Sequence, residues 1–521
     1  MMKDIAFFIP GTALERSMHR LVLCCFVLIS PRFAFAAEFD ARIIDDAVEK
    51  AMKAFEVPGA SVAIVKDDKV IHLKGYGVRE KGKSEEVTPA TVFPIASCSK
   101  AFTTTAMAMM VDEGKARWDD KVRTHLDYFR LSDALADREV TIRDLLCHRT
   151  GMPRHDMLWG GRAIDSDELI HRWGQGTPST SFRSTWEYSN VPFTTAGVIV
   201  GRLNNSDWAA TISERIFKPL EMTSSSCTAA AGQAASNHAT PHYYGLDQKV
   251  TPVKWDAIDH AGGAGCINST ASDMANWLRF QLAEGKFGKK RLVDRLALRE
   301  THTPQMLIKV EGVWAMYFPQ KFTRFTSYGL GWFVHDYRGV TCLSHGGTLT
   351  GIRAQVMLVP EKNIGVFVVC NVRPSLFPET IAKTALDHLL DLPAEDWVAI
   401  NRSQLTLLDF NTALRLTKHE KERKPDTKPS LPLKSYEGSF DEPAYGRAVV
   451  THDDGKLTLS WGKCVYRLEH YHFDVFSAVQ VEPPEDVLEN DRSTNDVQFR
   501  LNTNGEVEGM KFLDQEFKKK K

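Results

Sequence analysis

Ser97 and Lys100 stand three residues apart at the mouth of an apolar stretch, "FPIASCSKAFTTTAMAMM", which runs from Phe93 to Met110. The residues after Ser97 continue as a helix until Gly114 stops it. That spacing puts both side chains on one helical face. At a helix start, backbone N–H groups and the positive end of the macrodipole face the serine hydroxyl. The same positive field, together with apolar surroundings, disfavours a charged ammonium. Both push Lys100 toward the neutral amine that a general base must be. A Ser-x-x-Lys pair of this kind makes an activated nucleophile. The plain alternative is a capping serine and a surface lysine, because the pattern arises by chance in most long chains. Ser99, adjacent to Lys100, points elsewhere. Cys98 lies about 100° round the helix from Ser97 and reads as buried.

Two further stretches could join this pair. "WEYSNVPFTTAGVIVGRL" sets Tyr188-Ser189-Asn190 before an apolar helix whose first turn accepts Pro192. In one reading Asn190 caps that helix and Tyr188 packs in the core. In the other, Tyr188 is a second proton carrier beside Ser97, and Asn190 orients the lysine and a substrate amide. "LSHGGTLTGIRAQVML" places Gly346 and Gly347 inside a strand. Paired glycines weaken a strand unless another backbone comes close, as a substrate lying along the strand edge does. His345 precedes them as a donor or titratable group; the alternative is a bulge with a surface histidine. His148 in "LLCHRTG" reads as a structural histidine near a helix end. His470 and His472 share a strand face, but two ligands without a third do not make a metal site.

Taken together, Ser97-x-x-Lys100, Tyr188-x-Asn190 and His345-Gly346-Gly347 resemble the three motifs of the serine β-lactamase/penicillin-binding-protein superfamily. The Tyr-x-Asn form is similar to the branch of class C β-lactamases, DD-peptidases and family VIII esterases. "LLCHRTGMP", "YGLGWFV" and "AGGAGCINSTASDMANWL" agree with it, and the resemblance spans about Asp40 to Leu392. It implies an α+β, β-lactamase/transpeptidase-like fold: an antiparallel sheet flanked by helices, packed on a helical lobe, with the site between them. It further implies that Ser97 forms an acyl-enzyme and that Lys100 and Tyr188 share the base role, in an order left open. Backbone N–H groups of Ser97 and Thr348 would form the oxyanion hole, and no metal or cofactor would be needed. The expected function is that of a serine hydrolase acting on ester or amide bonds of a small molecule or short peptide. The rivals are a DD-carboxypeptidase or D-aminopeptidase on cell-wall-type peptides, a weak β-lactamase, and a catalytically silent binding scaffold. One departure matters. His345 stands where the family has a lysine, and Gly346 replaces a hydroxyl residue. A histidine near neutral pH offers a substrate carboxylate only part of a charge, and Gly346 offers no hydroxyl. Efficient penicillin hydrolysis is therefore not expected.

The elements that must position these residues are legible in outline. The chain has 521 residues, 43% hydrophobic and 25% charged, an ordinary globular composition for two or three domains. A net charge of −1 provides no field to attract nucleic acid or an anionic membrane. "LVLCCFVLIS" from Leu21, after His19-Arg20 and before "PRFAFAAEF", reads as a secretory signal over residues 1–36. It is too short to span a bilayer. The mature chain is expected to be exported, periplasmic or secreted, without stable membrane insertion. Of nine cysteines, the seven outside the signal are scattered, form no C-x-x-C pair and read as small buried hydrophobes. "DARIIDDAVEKAMKAF" has helical spacing, and "GASVAIVKDDKVIHLKGYGVRE" reads as a hairpin turning at Asp67-Asp68. Antiparallel strands follow from Ser327, then a helix near Phe377 to Leu390. The hydrolase domain thus covers 38–395. Residues 396–433 read as a helix and a charged, Pro-rich linker, the linker proper starting at Thr417. Residues 434–517 carry six short strands, from "GRAVVTH" to "VEGMKFL", of a small barrel or sandwich. The resemblance matches them to the β-domain appended to such hydrolases. Residues 518–521 read as a solvated basic tail.

Overall fold

The computed structural model describes residues 39–160, 164–482 and 495–520. The signal-like stretch lies outside the described residues. Asp40–Lys521 form one compact unit.

Helix α1 (Ala41–Ala54) opens it, capped by the Asp40 carboxylate, and buries Ile44, Val48 and Ala51 at helical spacing. Strands β1 (Gly59–Lys66) and β2 (Lys69–Gly77) form the expected hairpin. Asp67 and Asp68 both hold positive φ, as a two-residue hairpin turn requires. Helix α2 (Ser99–Asp112) follows, with all but two of its residues buried. It therefore runs through the middle of the helical lobe rather than along its surface. Helix α3 (Val191–Leu203) packs along it, and α4 (Ala271–Leu282) meets it through the stacked Phe102 and Trp277 rings.

The remaining strands of the sheet are β3 (Met306–Leu307), β4 (Thr326–Tyr328), β5 (Phe333–Tyr337), β6 (Val340–Leu349), β7 (Ile352–Val359) and β8 (Ile364–Cys370). The order is β2-β1-β8-β7-β6-β5-β4-β3, with antiparallel neighbours throughout. Strands β7 and β8 are buried at every position, because helices cover both faces. Helix α4 lies on one face; α5 (Phe377–Leu389), backed by α1, lies on the other. Strand β5 pairs only with Val340–Ser344 of β6. The stretch His345–Leu349 is left with no strand partner on that side among the described residues, so the motif sits on an open strand edge.

Helix α6 (Trp397–Glu422) buries only Trp397, Val398, Asn401 and Leu405. It takes in the first six residues of the expected linker. Good helix formers outweigh the missing apolar period there, and the end of the helix is pinned to the next domain by His419 Nε2 to Asp496 at 2.8 Å and Arg423 Nε to Tyr471 O at 3.0 Å. That domain is a closed barrel of eight strands, β9 (Gly438–Glu442), β10 (Gly446–Asp453), β11 (Lys456–Trp461), β12 (Cys464–His472), β13 (Val475–Glu482), β14 (Asp496–Leu501), β15 (Val507–Phe512) and β16 (Gln515–Lys519). Six of these were expected; β9 and β16 are the two that close it, pairing through Phe440–Lys519 and Asp441–Lys518. Lys518 and Lys519 are thus strand residues rather than a tail, with Lys520 Nζ 3.2 Å from Asp441. The seven described cysteines are buried and none forms a disulfide.

Candidate active site

Ser97 sits in a single 3₁₀ turn, Ala96–Cys98, that feeds directly into α2. Ala96 before it is held at φ 49°, a left-handed conformation that costs an alanine about 1 kcal/mol. The turn rests on β6. A Cβ at Gly347 would lie 2.2 Å from Ile95 O, so only glycine lets the turn pack there. The close approach permitted by Gly347 is therefore to the turn that carries Ser97, and Gly346 is the glycine that lines the cleft.

Lys100 is fully buried on the first turn of α2. Its Nζ lies 3.2 Å from Ser97 Oγ, 2.7 Å from Asn190 Oδ1 and 2.8 Å from Ala264 O. Burial drives its pKa well below the ordinary lysine value, and the nearby Arg154 guanidinium pushes the same way. A neutral amine fits the contacts: two N–H bonds go to the two shorter acceptors, and the lone pair faces the Ser97 hydroxyl. Tyr188 lines the same cavity as Ser97, with its ring 4.9 Å from Lys100 Nζ. Burial pushes the phenol up, only partly countered by Arg154, so it holds its proton at neutral pH. Asn190 stands at the start of α3, but its side chain makes no cap. Its oxygen accepts from Lys100 and its Nδ2 donates to Asp156 Oδ1 at 3.1 Å.

His345 is buried on β6 and is no surface residue on a bulge. Its Nδ1 donates to Gly346 O at 2.8 Å, which leaves Nε2 to accept from the Tyr328 hydroxyl at 2.9 Å. Burial and the nearby Lys100 lower its pKa to about 3. It supplies no positive charge at neutral pH, not even in part. Thr348 lines the same cavity as Ser97. His148 packs its ring 4.4 Å from that of Tyr188 and takes the Ser189 N–H on Nδ1, a supporting wall. Cys98 is buried against His345 O. Among the described residues no three His, Cys, Asp or Glu side chains gather as metal ligands, and His470 and His472 are separated by an irregularity in the β12–β13 register.

The sequence model of the Beta-lactamase family matches residues 44–390, and a domain of unknown function (DUF3471) matches 422–521. The chain belongs to the Beta-lactamase family. Within curated proteins of this kind, it is 26% identical over 467 residues to the unguisins hydrolase ungD of Aspergillus violaceofuscus, covering 83% of this chain and 81% of that one. It is 27% identical over 351 residues to Protein flp of Staphylococcus aureus, covering 65% and 64%. Among solved structures, an octameric penicillin-binding protein homologue from Pyrococcus abyssi matches 92% of this chain and 100% of its own, with TM-score 0.58 at 20% identity. A class C beta-lactamase matches 68% and 97%, with TM-score 0.55 at 20% identity. These likenesses confirm the β-lactamase/transpeptidase-like fold.

Two residues that the motifs do not mark complete this Beta-lactamase-family site. Arg154 and Asp156, in "MPRHDMLW", form an ion pair. The guanidinium stands 5.0 Å from the Tyr188 ring centre, while Asp156 also holds Asn190 and Trp159 Nε1. The only sequence signal was their closeness to the "LLCHRTGMP" stretch. Between them, His155 is tied to the barrel: its Nδ1 lies 3.0 Å from the Tyr445 hydroxyl. The barrel therefore braces the loop that orients Asn190. Removing that hydroxyl in Tyr445→Phe is expected to lower kcat about 3- to 10-fold, the worth of one such hydrogen bond, with little change in thermal unfolding. Steady-state kinetics beside a melting curve checks this; an unchanged kcat would remove the barrel from the positioning of the site.

Proposed function

We propose that this protein is a serine hydrolase that cleaves ester or amide bonds through an acyl-enzyme on Ser97. The observation that carries the reading is the contact set of Lys100: a buried amine 3.2 Å from Ser97 Oγ, with the Asn190 and Ala264 oxygens at 2.7 and 2.8 Å placed to take its protons. Lys100 takes the hydroxyl proton as Ser97 attacks the carbonyl carbon. Tyr188, which keeps its proton, delivers one to the leaving oxygen or nitrogen. Backbone N–H groups of Ser97 and Thr348 hold the oxyanion, and water then releases the acyl group.

Peptide substrates form a second reading, favoured by one feature. The open edge of β6 at His345–Leu349 offers main-chain groups to an extended chain. A neutral His345 argues against recognition of a terminal carboxylate beside the reacting bond. Export belongs to the proposal too, and rests on the Leu21–Ser30 stretch. Turnover of short-chain p-nitrophenyl esters, compared with peptides ending in D-Ala, tests the substrate class. Ester turnover that depends on Ser97 is expected; absence of turnover on both would contradict the proposal.

A further inference from the structure

The cleft does not end at Ser97. One cavity of about 880 Å³ is lined both by Ser97, Tyr188 and His345 and by side chains on the opposite face of β6. Alternation along the strand explains this: Gly347 faces the Ser97 turn, whereas Gly346 faces Gln355 and Glu379 of the α5 side. Because β5 leaves His345–Leu349 uncovered, the cavity passes round that strand edge into a second chamber.

The chamber is walled by aromatic rings, among them Phe322, Phe333 and Trp397, and holds buried charges. Arg353 is paired with Glu379 and donates to Thr348 Oγ1. Arg353 Nε and Glu379 Oε2 remain buried without a hydrogen-bond partner. Asp387 is matched by Arg338 at 2.7 Å, and also takes Tyr337 and Trp397 N–H or O–H bonds. Among the described residues of the chamber, Lys383 is a cation with no carboxylate at ion-pair distance, although Glu379 and Asp387 lie near enough to act on it. It is 5% exposed; its Nζ donates to one main-chain carbonyl, Tyr317 O, at 3.3 Å and stands 4.9 Å from the centre of the Trp397 ring. Arg353 and Glu379 cancel, which leaves the Lys383 ammonium with unused donors among aromatic walls; burial lowers its pKa to about 8, against the pull of Glu379 and Asp387, so it is mostly charged at neutral pH. A buried ammonium in that state calls for an anionic partner.

We propose that this chamber receives the far end of the substrate, and that this end is a carboxylate held by Lys383. The inference rests on the hydrolase reading for the position of the reacting bond. It gives the substrate a class: an ester or amide whose chain carries an acid several carbons away from the bond that is cut. The recognition that a charged third-motif residue would provide beside the reacting bond is thereby moved to the far side of the sheet.

The test compares p-nitrophenyl monoesters of adipic, suberic and sebacic acid with p-nitrophenyl esters of the unsubstituted acids of equal length. A parallel set of ω-carboxyalkyl acetates against alkyl acetates separates a tail on the acyl side from one on the alcohol side. At one chain length in one set, kcat/KM for the acid should exceed that for the neutral ester about tenfold or more, the scale of a hydrogen bond to a charged group. In Lys383→Met that ratio should fall to within about twofold of one; Lys383→Gln serves if the methionine variant loses cooperative unfolding. Equal rates for acid and neutral ester at every length, or a preference that survives loss of Lys383, overturns the chamber and leaves the hydrolase in place. Calorimetric binding of the same compounds to Ser97→Ala gives a readout without turnover. Acid-selective binding there, with no ester cleaved by the wild type, would keep the chamber and sink the hydrolase.

Discussion

Ser97→Ala should lose ester turnover almost entirely, with kcat/KM down by about ten-thousandfold or more. The hydroxyl lies 3.2 Å from Lys100 Nζ and shares its cavity with Tyr188. Removing it leaves the cleft and the Lys100 bonds to Asn190 and Ala264 in place but takes away the oxygen to which the acyl group would be joined. The fold should survive, because Ser97 is only partly buried and its turn is held by the backbone of Ile95 and the packing of Gly347. Binding of ester should therefore persist while cleavage stops. A variant that keeps even a tenth of the wild-type rate would place the nucleophile elsewhere.

Lys100→Met should be nearly as damaging, about a thousandfold in kcat, because a serine without its base is a poor nucleophile. The two residues act as one unit, so Ser97→Ala combined with Lys100→Met should cost scarcely more than Ser97→Ala alone. A pH signature separates the neutral-amine account from an ion-pair account. In the unfolded chain Lys100 titrates near the ordinary lysine value of 10.5, and in the folded protein well below it. Between those two values the unfolded state binds one more proton. The stability of the wild type relative to Lys100→Met should therefore rise with pH there, by about 1.4 kcal/mol per pH unit at most. Denaturant unfolding of both proteins at a series of pH values measures the difference. A flat difference up to pH about 10 would mean that Lys100 stays charged in the folded protein. Activity follows the same titration with the matching sign: the rate is lost as pH falls through the folded Lys100 value. His345, lowered to about 3, contributes no step near neutrality.

The candidate site residues were readable in the sequence because each belongs to a local pattern. Ser97 and Lys100 share one helix start, Tyr188 and Asn190 share another, and His345 opens a glycine pair whose only sense in a strand is close packing. What could not be read depends on neighbours distant in the chain. The charge state of His345 is set by the Tyr328 hydroxyl and by burial under Phe333, neither of which its own segment announces. Arg154 and Asp156 sit on an aperiodic loop, and their role appears only when α3 brings Asn190 to them. Gly438–Glu442 and Gln515–Lys519 look too polar for core strands, yet they pair with each other and shut the barrel. Barrel closure rewards hydrogen bonding along both edges whatever the side chains are. Helix α6 was half hidden for a similar reason: its second half has no apolar face turned to the core, and the barrel rather than the hydrolase domain holds its end.

Intact-protein mass spectrometry after incubation with a reactive alkyl phosphonate ester, followed by peptide mapping, tests the central claim most directly. The account predicts a single covalent adduct on Ser97 of the wild type, formed much more slowly in Lys100→Met and absent from Ser97→Ala. An adduct on another residue, or none on a protein that hydrolyses esters, would contradict it.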